Sequence, residues 1–335
     1  MKRTHFSFPS IEQFKNVHRK VQEKAQFVGL DKNQEPIFNR AALLPTLSYE
    51  GTIKVHGTNA SILLTKDDFY CQSREQVITP EKDNAGFARF VHELPLESFE
   101  ILRSNFNQEK VAIYGEWAGK GIQKGVAISQ VDKAFFVFGV RVILEDEKEE
   151  WLDIQGWNLP ERFYNIYNFP TYQIDIDFEK PEYALEQINK WVLEVEEECP
   201  VAKKFGISGI GEGIVFTSLD LDYKGSRFTF KCKGSKHSQS KVCKLATVDI
   251  EKFESNQAFV NFALDEGRLE QGYNWLAENN KPQDQQSVGD YLRWLFNDVI
   301  KECKLEMEEN KISEKELGKL LANPAKRWYF TRINK

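Results

Sequence analysis

Residues 54–64 read KVHGTNASILL, in which a lysine and a glycine lead into an apolar run. After it, TKDD separates the apolar run from DFYCQS, which predicts a β-hairpin. Lys54, just before the first strand of the hairpin, could attack a phosphorus atom if burial or nearby positive charge favours its unprotonated form. Gly57 would let a nucleotide approach the backbone, and Thr58 and Asn59 offer polar groups to sugar or phosphate. A KxxG quartet is equally typical of a surface turn with an exposed lysine.

Other strands are predicted after this hairpin. They are VAIYGEW (111–117), AFFVFGVRVIL (134–144), GIVFTS (213–218) and RFTFKCK (227–233). A helical lead-in is predicted within residues 1–30, with Phe14, Val17, Val21 and Ala25 at helical spacing. An acidic helix is predicted near 181–198, with Leu185, Ile188, Trp191 and Val195 turned inward.

The pattern changes after about residue 245. Three stretches there carry helical periodicity, namely EKFESNQAFVNFALDEGRLEQGYNWLAEN, VGDYLRWLFNDVIKEC and SEKELGKLLAN. Pro324 follows the last stretch and predicts its end. The expected domains are therefore residues 1–243, a mixed α+β domain built on antiparallel sheets, and residues 244–335, a small all-α domain.

Composition limits the classes of function. The chain has 335 residues, a formal net charge of −6 and 41% hydrophobic residues, so a core can form and any nucleic-acid site must be a local basic patch. Five cysteines without a CxxC pair favour reduced thiols in the cytoplasm over disulfides or zinc. The N-terminus lacks the apolar stretch of a signal peptide, and no run of about 18 apolar residues predicts a membrane span.

Five further residues carry polar or aromatic groups within or next to the predicted strands. Arg74 in CQSREQ could bind phosphate or ribose, and Glu116 before a glycine-rich turn could meet a ribose hydroxyl. Phe136 and Phe138 share one strand face, where a ring could stack on a purine. Glu212, at the start of a strand, could hold magnesium through water. Each residue also has a purely structural interpretation. Arg74 could be an ordinary surface arginine, Glu116 a charge at a turn, and Glu212 a charge at a strand edge. The two phenylalanines could simply belong to the core.

The strand 227–233 alternates apolar and polar residues. Phe228, Phe230 and Cys232 would point into a core, leaving Arg227, Thr229, Lys231 and Lys233 on the other face. Two lysines on one face could bind a phosphate chain and stabilise an anionic transition state. The surrounding segment 224–244 contains no acid and seven basic residues, Lys224, Arg227, Lys231, Lys233, Lys236, Lys241 and Lys244. Such a segment is typical of a polyanion site, or of a solvated basic loop.

Taken in order, these elements resemble the motifs of the covalent nucleotidyltransferases. The series is KVHGTN, SRE, YGEWAGKGIQKGV, FFVFG, EGIVF and FKCKGSK. Within that superfamily, GEWAGKGIQK and His56 resemble the RNA ligase 2 family of phage double-strand RNA ligases. The match by motif covers about residues 50–240. The resemblance implies an ATP-grasp-like ligase fold and a magnesium-dependent enzyme that uses ATP.

The same resemblance implies a mechanism and a role for each position. AMP would be held covalently by Lys54, passed to the 5′-phosphate of an RNA end, and released when a 3′-hydroxyl seals the break. His56 would support the first step, Asn59 and Arg74 would contact sugar or phosphate, Glu116 would bind ribose and Phe138 would stack on adenine. Glu212 would serve the metal, and Lys231 and Lys233 would contact the α-phosphate. The expected partner is nicked duplex RNA, and the expected assembly is a monomer.

Three positions depart from the family pattern. Ile53 precedes the lysine where glutamate is common, Gly139 follows Phe138 where aspartate is common, and Thr217 stands where lysine is common. The alternatives are a capping guanylyltransferase, a DNA ligase, or an RNA-binding protein on an inactive ligase scaffold. His56 and the helical tail argue against the first two, and the intact lysine and glutamates argue against the third.

Overall fold

The computed structural model describes residues 3–83, 85–144, 149–234, 253 and 255–334. The strands are β1 (Phe27–Leu30), β2 (Pro36–Phe38), β3 (Thr46–Lys54), β4 (Thr58–Thr65), β5 (Phe69–Ser73), β6 (Val77–Ile78), β7 (Lys110–Ala118), β8 (Ala134–Ile143), β9 (Glu149–Leu152), β10 (Phe163–Asn165), β11 (Thr171–Asp177), β12 (Gly213–Ser218) and β13 (Phe230–Lys233). The helices are α1 (Phe14–Gln26), α2 (Phe87–His92), α3 (Leu96–Arg103), α4 (Glu182–Glu197), α5 (Pro200–Lys204), α6 (Asn256–Ala263), α7 (Glu266–Glu278), α8 (Val288–Glu302), α9 (Lys304–Glu309) and α10 (Glu314–Ile333). The predicted mixture of helices and antiparallel strands, followed by a helical region, is confirmed.

The chain divides into two compact units. The first comprises residues 1–10, 50–173 and 194–215, and the second comprises residues 11–49, 174–193 and 216–335. The predicted domain boundary at 243/244 lies outside the described residues and stays a prediction.

The first unit contains a large sheet with the strand order β10-β8-β7-β4-β5-β6, and β9 also pairs with β8. The predicted hairpin is confirmed, because β4 and β5 pair antiparallel across the TKDD turn. One pair departs from the predicted antiparallel pattern, since β10 runs parallel to β8. Between these two strands lies a long connection that includes β9, and parallel pairing requires such a crossover.

Residues alternate between the two faces of this sheet, and both faces are covered. On one face, helices α2 and α3 pack Phe87, Phe99 and Leu102 onto strand residues such as Ile62 and Ile113. The other face carries a smaller cluster containing Leu63, Tyr70, Ala112 and Tyr114, with Phe6, Phe8, Phe138 and Trp151 packed against it.

The second face is covered by residues 3–8, which we call the N-terminal strap. The Tyr70 hydroxyl donates to the Thr4 carbonyl at 2.5 Å, and the Tyr114 hydroxyl donates to the Phe6 carbonyl at 2.9 Å. These bonds satisfy backbone carbonyls that lack a strand partner, and so they fix the strap on the sheet.

A second sheet has the strand order β11-β3-β12-β13, and β1 and β2 form a separate hairpin. Helix α1 is the predicted lead-in helix, and Phe14, Val17 and Val21 are buried as its spacing predicts. It ends at Gln26, because the following residues pair with β2 as a strand and do not continue the helix. The Phe14 ring lies 5.0 Å from Phe230 on β13, so this helix covers the small sheet.

The predicted strand 227–233 is shorter than expected. Residues 226–228 form a 3₁₀ turn, and β13 begins at Phe230. The prediction that Thr229 lies on the polar face is wrong, because this residue is buried and its hydroxyl donates to the Gly225 carbonyl at 3.2 Å. Lys231 and Lys233 remain on one face, half-buried, on either side of buried Cys232.

The helical region of the second unit departs from prediction at two places. The first periodic stretch is split, since Asp265 caps a new helix by accepting from the Arg268 amide at 2.8 Å. The predicted end of the last helix at Pro324 is wrong, because α10 continues to Ile333.

An internal proline costs a helix about 3 kcal/mol. Here Leu317 and Leu321 before Pro324, and Ala325 and Tyr329 after it, are all buried in helix-packing clusters. Burial on both sides of the proline therefore favours one continuous helix. Within the described ranges, no helix is long and apolar enough to cross a membrane.

Candidate active site

The structure joins three of the predicted site residues through one carboxylate. Lys54, the last residue of β3, donates from Nζ to Glu212 Oε2 at 2.8 Å. His56 Nδ1 lies 3.2 Å from the same oxygen. The Glu212 side chain is only 2% exposed, so its negative charge is held inside the protein beside these two groups. This pairing spans 158 residues of sequence, and no spacing rule could have predicted it.

Glu116 lies on the central strand of the large sheet. Its cross-strand neighbours are Asn59 on β4 and Phe136 on β8, so the three residues form a row across one face. The Glu116 carboxylate also accepts from the Gly57 amide at 3.0 Å. This bond ties the KVHG segment to β7 and places Glu116 beside the loop that carries His56.

The charges of this cluster influence one another. Burial raises the pKa of Glu116, Lys54 opposes that rise, Glu212 adds to it and His56 opposes it. Two carboxylates therefore share one buried region with a lysine and a histidine. Such a mixed cluster, in which ionisation of one group depends on the others, is typical of sites that move protons or bind charged ligands.

Gly57 is required by the fold itself. A Cβ atom at this position would lie 2.4 Å from the Trp117 carbonyl oxygen and 2.8 Å from the Ala118 Cβ. The sequence suggested that this glycine admits a nucleotide, but the close neighbour in the structure is strand β7. Trp117 cannot easily yield, because its ring is buried and donates from Nε1 to the Ala85 carbonyl at 2.9 Å.

The two candidate stacking rings differ in their surroundings. Phe136 is fully buried and its ring contacts Tyr164 at 5.5 Å. Phe138 is half-buried, and its edge meets Phe8 of the N-terminal strap at 4.9 Å. A ligand could therefore reach Phe138, whereas Phe136 belongs to the core. A register shift in the pairing of β7 with β8, at Tyr114/Gly115, accompanies this arrangement.

Arg74 lies in the turn between β5 and β6 and is exposed. The preceding residue, Ser73, pairs with Ala60 in the antiparallel sheet. Arg74 therefore lies just beyond the end of β5, at the position across from Asn59. His5 of the strap bonds through Nε2 to the Ser73 carbonyl at 3.1 Å. The arginine is thus at the same end of the sheet as the Asn59–Glu116 row, on a turn that the strap supports.

The two predicted phosphate-binding lysines belong to the second unit. Lys231 forms an ion pair with Glu302 of α8 at 2.9 Å, and Lys233 is half-buried two residues further along β13. Of the remaining basic segment, Lys224 and Arg227 are exposed. Lys236, Lys241 and Lys244 lie outside the described residues.

Sequence reasoning missed Glu302 and Phe8. Neither spacing nor residue type connects α8 with β13, and their contact depends on tertiary packing. The aromatic residues in HFSFP (5–9) were the only sequence sign that the N-terminus packs onto a sheet.

The donor set limits the kind of metal that could bind. Across the part of the chain that the structure describes, no three His, Cys, Asp or Glu side chains converge as a protein metal cage requires. Mg²⁺ needs no such cage, since it commonly keeps several waters and takes one or two carboxylates together with substrate phosphates. Glu212 fits that pattern as a single buried carboxylate.

Comparison with known families now defines the class of protein. The model of the RNA ligase family matches residues 48–233, which is more than half of the chain. The chain therefore belongs to the RNA ligase family. The matched span runs from β3 to the end of β13 and contains the candidate residues Lys54, His56, Asn59, Arg74, Glu116, Phe138, Glu212, Lys231 and Lys233.

Solved structures of one enzyme, Naegleria gruberi RNA ligase, are similar to this chain. The complex with PPi aligns with a TM-score of 0.43 and 18% identity. A lysine-to-methionine mutant with AMP and Mn and a lysine-to-alanine mutant with ATP and Mn each align with a TM-score of 0.42 and 17% identity. Each alignment covers 69% of this chain and 57% of the Naegleria chain, so this chain matches little more than half of that enzyme's length.

Proposed function

We propose that this protein is an ATP-dependent RNA ligase that carries AMP covalently on Lys54. The observation that carries the proposal is the contact of Lys54 and His56 with one buried oxygen of Glu212, beside Glu116, in a chain of the RNA ligase family. The fold is accordingly proposed to be an ATP-grasp-like nucleotidyltransferase domain, residues 1–243, followed by a helical domain, residues 244–335.

In the first step, the unprotonated Nζ of Lys54 attacks the α-phosphorus of ATP. A nitrogen–phosphorus bond forms, the bond from the α-phosphorus to the bridging oxygen breaks, and pyrophosphate leaves. In the structure Lys54 is paired with Glu212, so it must first give up both this partner and its proton. His56 contacts the same oxygen and can hold a proton close to where it is released.

The other site residues are proposed to bind the nucleotide. Glu116 accepts from a ribose hydroxyl, Phe138 stacks on adenine, and Asn59 and Arg74 contact the sugar or phosphate region. Lys231 and Lys233 contact the α-phosphate and stabilise the charge that develops there. Their side chains are cations on one face of a short strand, as phosphate binding requires.

A bound Mg²⁺ would neutralise phosphate charge during the reaction, and Glu212 is the carboxylate proposed to hold it, through water. A metal held there would compete with Lys54 for the Glu212 carboxylate. Because Glu212 is buried, its charge would interact strongly with whichever cation lies beside it.

In the later steps, AMP is transferred from Lys54 to a 5′-phosphate, and a 3′-hydroxyl then attacks that activated phosphate with release of AMP. The proposed substrate is duplex RNA with a nick, bound by a monomer. The helices α6–α10 are proposed to help bind this duplex, which proteins recognise by its A-form shape and 2′-hydroxyls.

A sealing assay tests the function as a whole. The full chain, with ATP and Mg²⁺, should join a nicked RNA duplex with a 5′-phosphate, and Lys54→Ala should not. The same variant should still seal a nick whose 5′ end is already adenylylated, because that step needs no lysine nucleophile. Joining of nicked DNA but not RNA would instead support a DNA ligase, and no joining of either would contradict the proposal.

A further inference from the structure

Lys231 already has an anionic partner in the structure, and that partner comes from the helical region. Its Nζ lies 2.9 Å from Glu302 Oε1, at the C-terminal end of α8. The side chains are only 21% and 14% exposed, so water screens the pair weakly. The second oxygen of Glu302 accepts from Gln13 Nε2 at 2.9 Å, which fixes the carboxylate in place.

Glu302 is a persistent negative charge. Burial alone would raise its pKa, but Lys231 and then Arg268 outweigh that effect and hold the pKa well below its usual range. Arg268 is itself anchored, since it is buried on α7 and bonds to Asp298 at 2.8 Å. The carboxylate is therefore ionised at neutral pH.

A phosphate and a carboxylate make conflicting demands on one ammonium group. Lys231 has three donors, so it could touch both anions, but a phosphate placed there would then be repelled by the nearby carboxylate. If Lys231 turns to the phosphate alone, Glu302 loses a partner in a buried position, which is costly. In both cases Glu302 reduces the favourable energy that Lys231 offers to a nucleotide.

We propose that Glu302 is a positioning residue that acts on nucleotide binding through Lys231, by competing with the α-phosphate for its ammonium group. The inference rests on the proposed function, because it takes Lys231 as a phosphate ligand. The competition couples the helical region to the nucleotide. A change that weakens the Lys231–Glu302 ion pair strengthens ATP binding, and ATP binding weakens this contact between α8 and β13 by the same factor.

The neighbouring ion pairs provide matched controls. Lys15 on α1 pairs with buried Glu306 on α9, and Arg19 pairs with Glu308 at 3.3 Å. These pairs connect the same helical region to α1 but do not involve Lys231. Glu306→Gln therefore removes an ion pair between the helices and α1 without releasing the β13 lysine.

The test is a double-mutant cycle on ATP affinity in the full chain. Titration calorimetry with ATP and Mg²⁺ is done in a Lys54→Ala background, so that no chemistry follows binding. Glu302→Gln, which keeps the shape of the side chain and its bond with Gln13, should tighten ATP binding roughly three- to tenfold. Glu306→Gln should leave the affinity unchanged, and Glu302→Gln should have no effect once Lys231 is replaced by alanine.

Three results would overturn the inference: an unchanged or weaker affinity in Glu302→Gln, an equal gain in Glu306→Gln, or a gain that persists without Lys231. Failure of the proposed function is seen separately, as absence of Lys54-dependent labelling in the wild type. In that case the cycle with ATP still decides whether Glu302 and an anionic ligand compete for Lys231.

Discussion

At Gly57 the main chain passes so close to strand β7 that only a hydrogen atom fits. An added Cβ would overlap the Trp117 carbonyl oxygen, which belongs to the sheet and cannot rotate away. Gly57→Ala should therefore destabilise the protein by about 1–3 kcal/mol and displace the loop that joins Lys54 to β4. Thermal unfolding and ATP labelling should both report the loss.

Gly29 provides the matched control for this change. It lies in β1, and an added Cβ there would meet nothing within 4 Å. Gly29→Ala should leave both stability and labelling near their wild-type values. If the two alanine variants behaved alike, the close approach at Gly57 would not be what the KVHG glycine is needed for.

The raised pKa of Glu116 predicts that the stability of the protein depends on pH. Burial raises its pKa in the folded protein, so its contribution to stability is fully present below the unfolded value of about 4.3 and is lost as pH rises through the folded pKa. Glu116→Gln cannot ionise and escapes this loss. The stability of the variant relative to wild type should therefore increase from pH 4 to pH 7, while activity falls.

Denaturant unfolding of both proteins at the two pH values measures this difference. The free energy of unfolding of Glu116→Gln minus that of the wild type is the quantity compared. If this difference stayed constant or decreased towards pH 7, ionisation of Glu116 would not be disfavoured by folding. The expected combination of higher stability and lower activity is common for buried charges kept for function.

Candidate site residues could be identified from the sequence, whereas the contacts between them could not. Lys54, Glu116 and Glu212 stand out because a lysine and two carboxylates border strands and glycine-rich turns. That Glu212 meets Lys54, and that Glu302 meets Lys231, depends on packing between elements far apart in the chain. The close approach of Gly57 to β7 could not be predicted for the same reason, and its contact with a nucleotide stays a prediction.

At the scale of elements, the N-terminal strap is the feature that most directly adjoins the candidate nucleotide site. Phe8 contacts Phe138, Tyr114 and Trp151 with ring separations between 4.9 and 5.5 Å. Phe8→Ala should lower stability by about 1–3 kcal/mol and raise the KM for ATP more than it changes kcat, because Phe138 loses its support.

The exposed neighbour Ser7 offers a control within the same strap. Ser7→Ala should change neither stability nor KM. If Phe8→Ala altered stability but left KM untouched, the strap would be a covering element only, and Phe138 would not owe its position to it.

Elements with strong periodicity were predicted well, and those set by tertiary contacts were not. The alternation in VAIYGEW correctly predicted the strand β7, and the helical spacing in 14–25 correctly predicted the helix α1. The 3₁₀ turn at 226–228 and the passage of α10 through Pro324 were missed. In both places local preference is overridden, by the bonding of Thr229 to Gly225 and by burial on both sides of the proline.

In the molecule as a whole, the candidate site residues belong to both compact units. The lysine, histidine and carboxylates lie in the first unit, and the phosphate-binding candidates of β13 lie in the second with the helices. With a net charge of −6, the overall charge gives no sign of a nucleic-acid site, and the basic segment at 224–244 is seen only when charge is followed along the sequence. The ordered motifs carried the prediction where composition did not.

Covalent attachment of AMP to Lys54 is tested by the transfer of label from a nucleotide to the protein. The full chain would be incubated with Mg²⁺ and α-labelled ATP or GTP, without RNA, and analysed on a denaturing gel. Label from ATP is expected on the wild type, with none from GTP and none on Lys54→Ala. Label from GTP would indicate a capping enzyme, and a wild type that takes no label from either nucleotide would rule out a covalent nucleotide on Lys54.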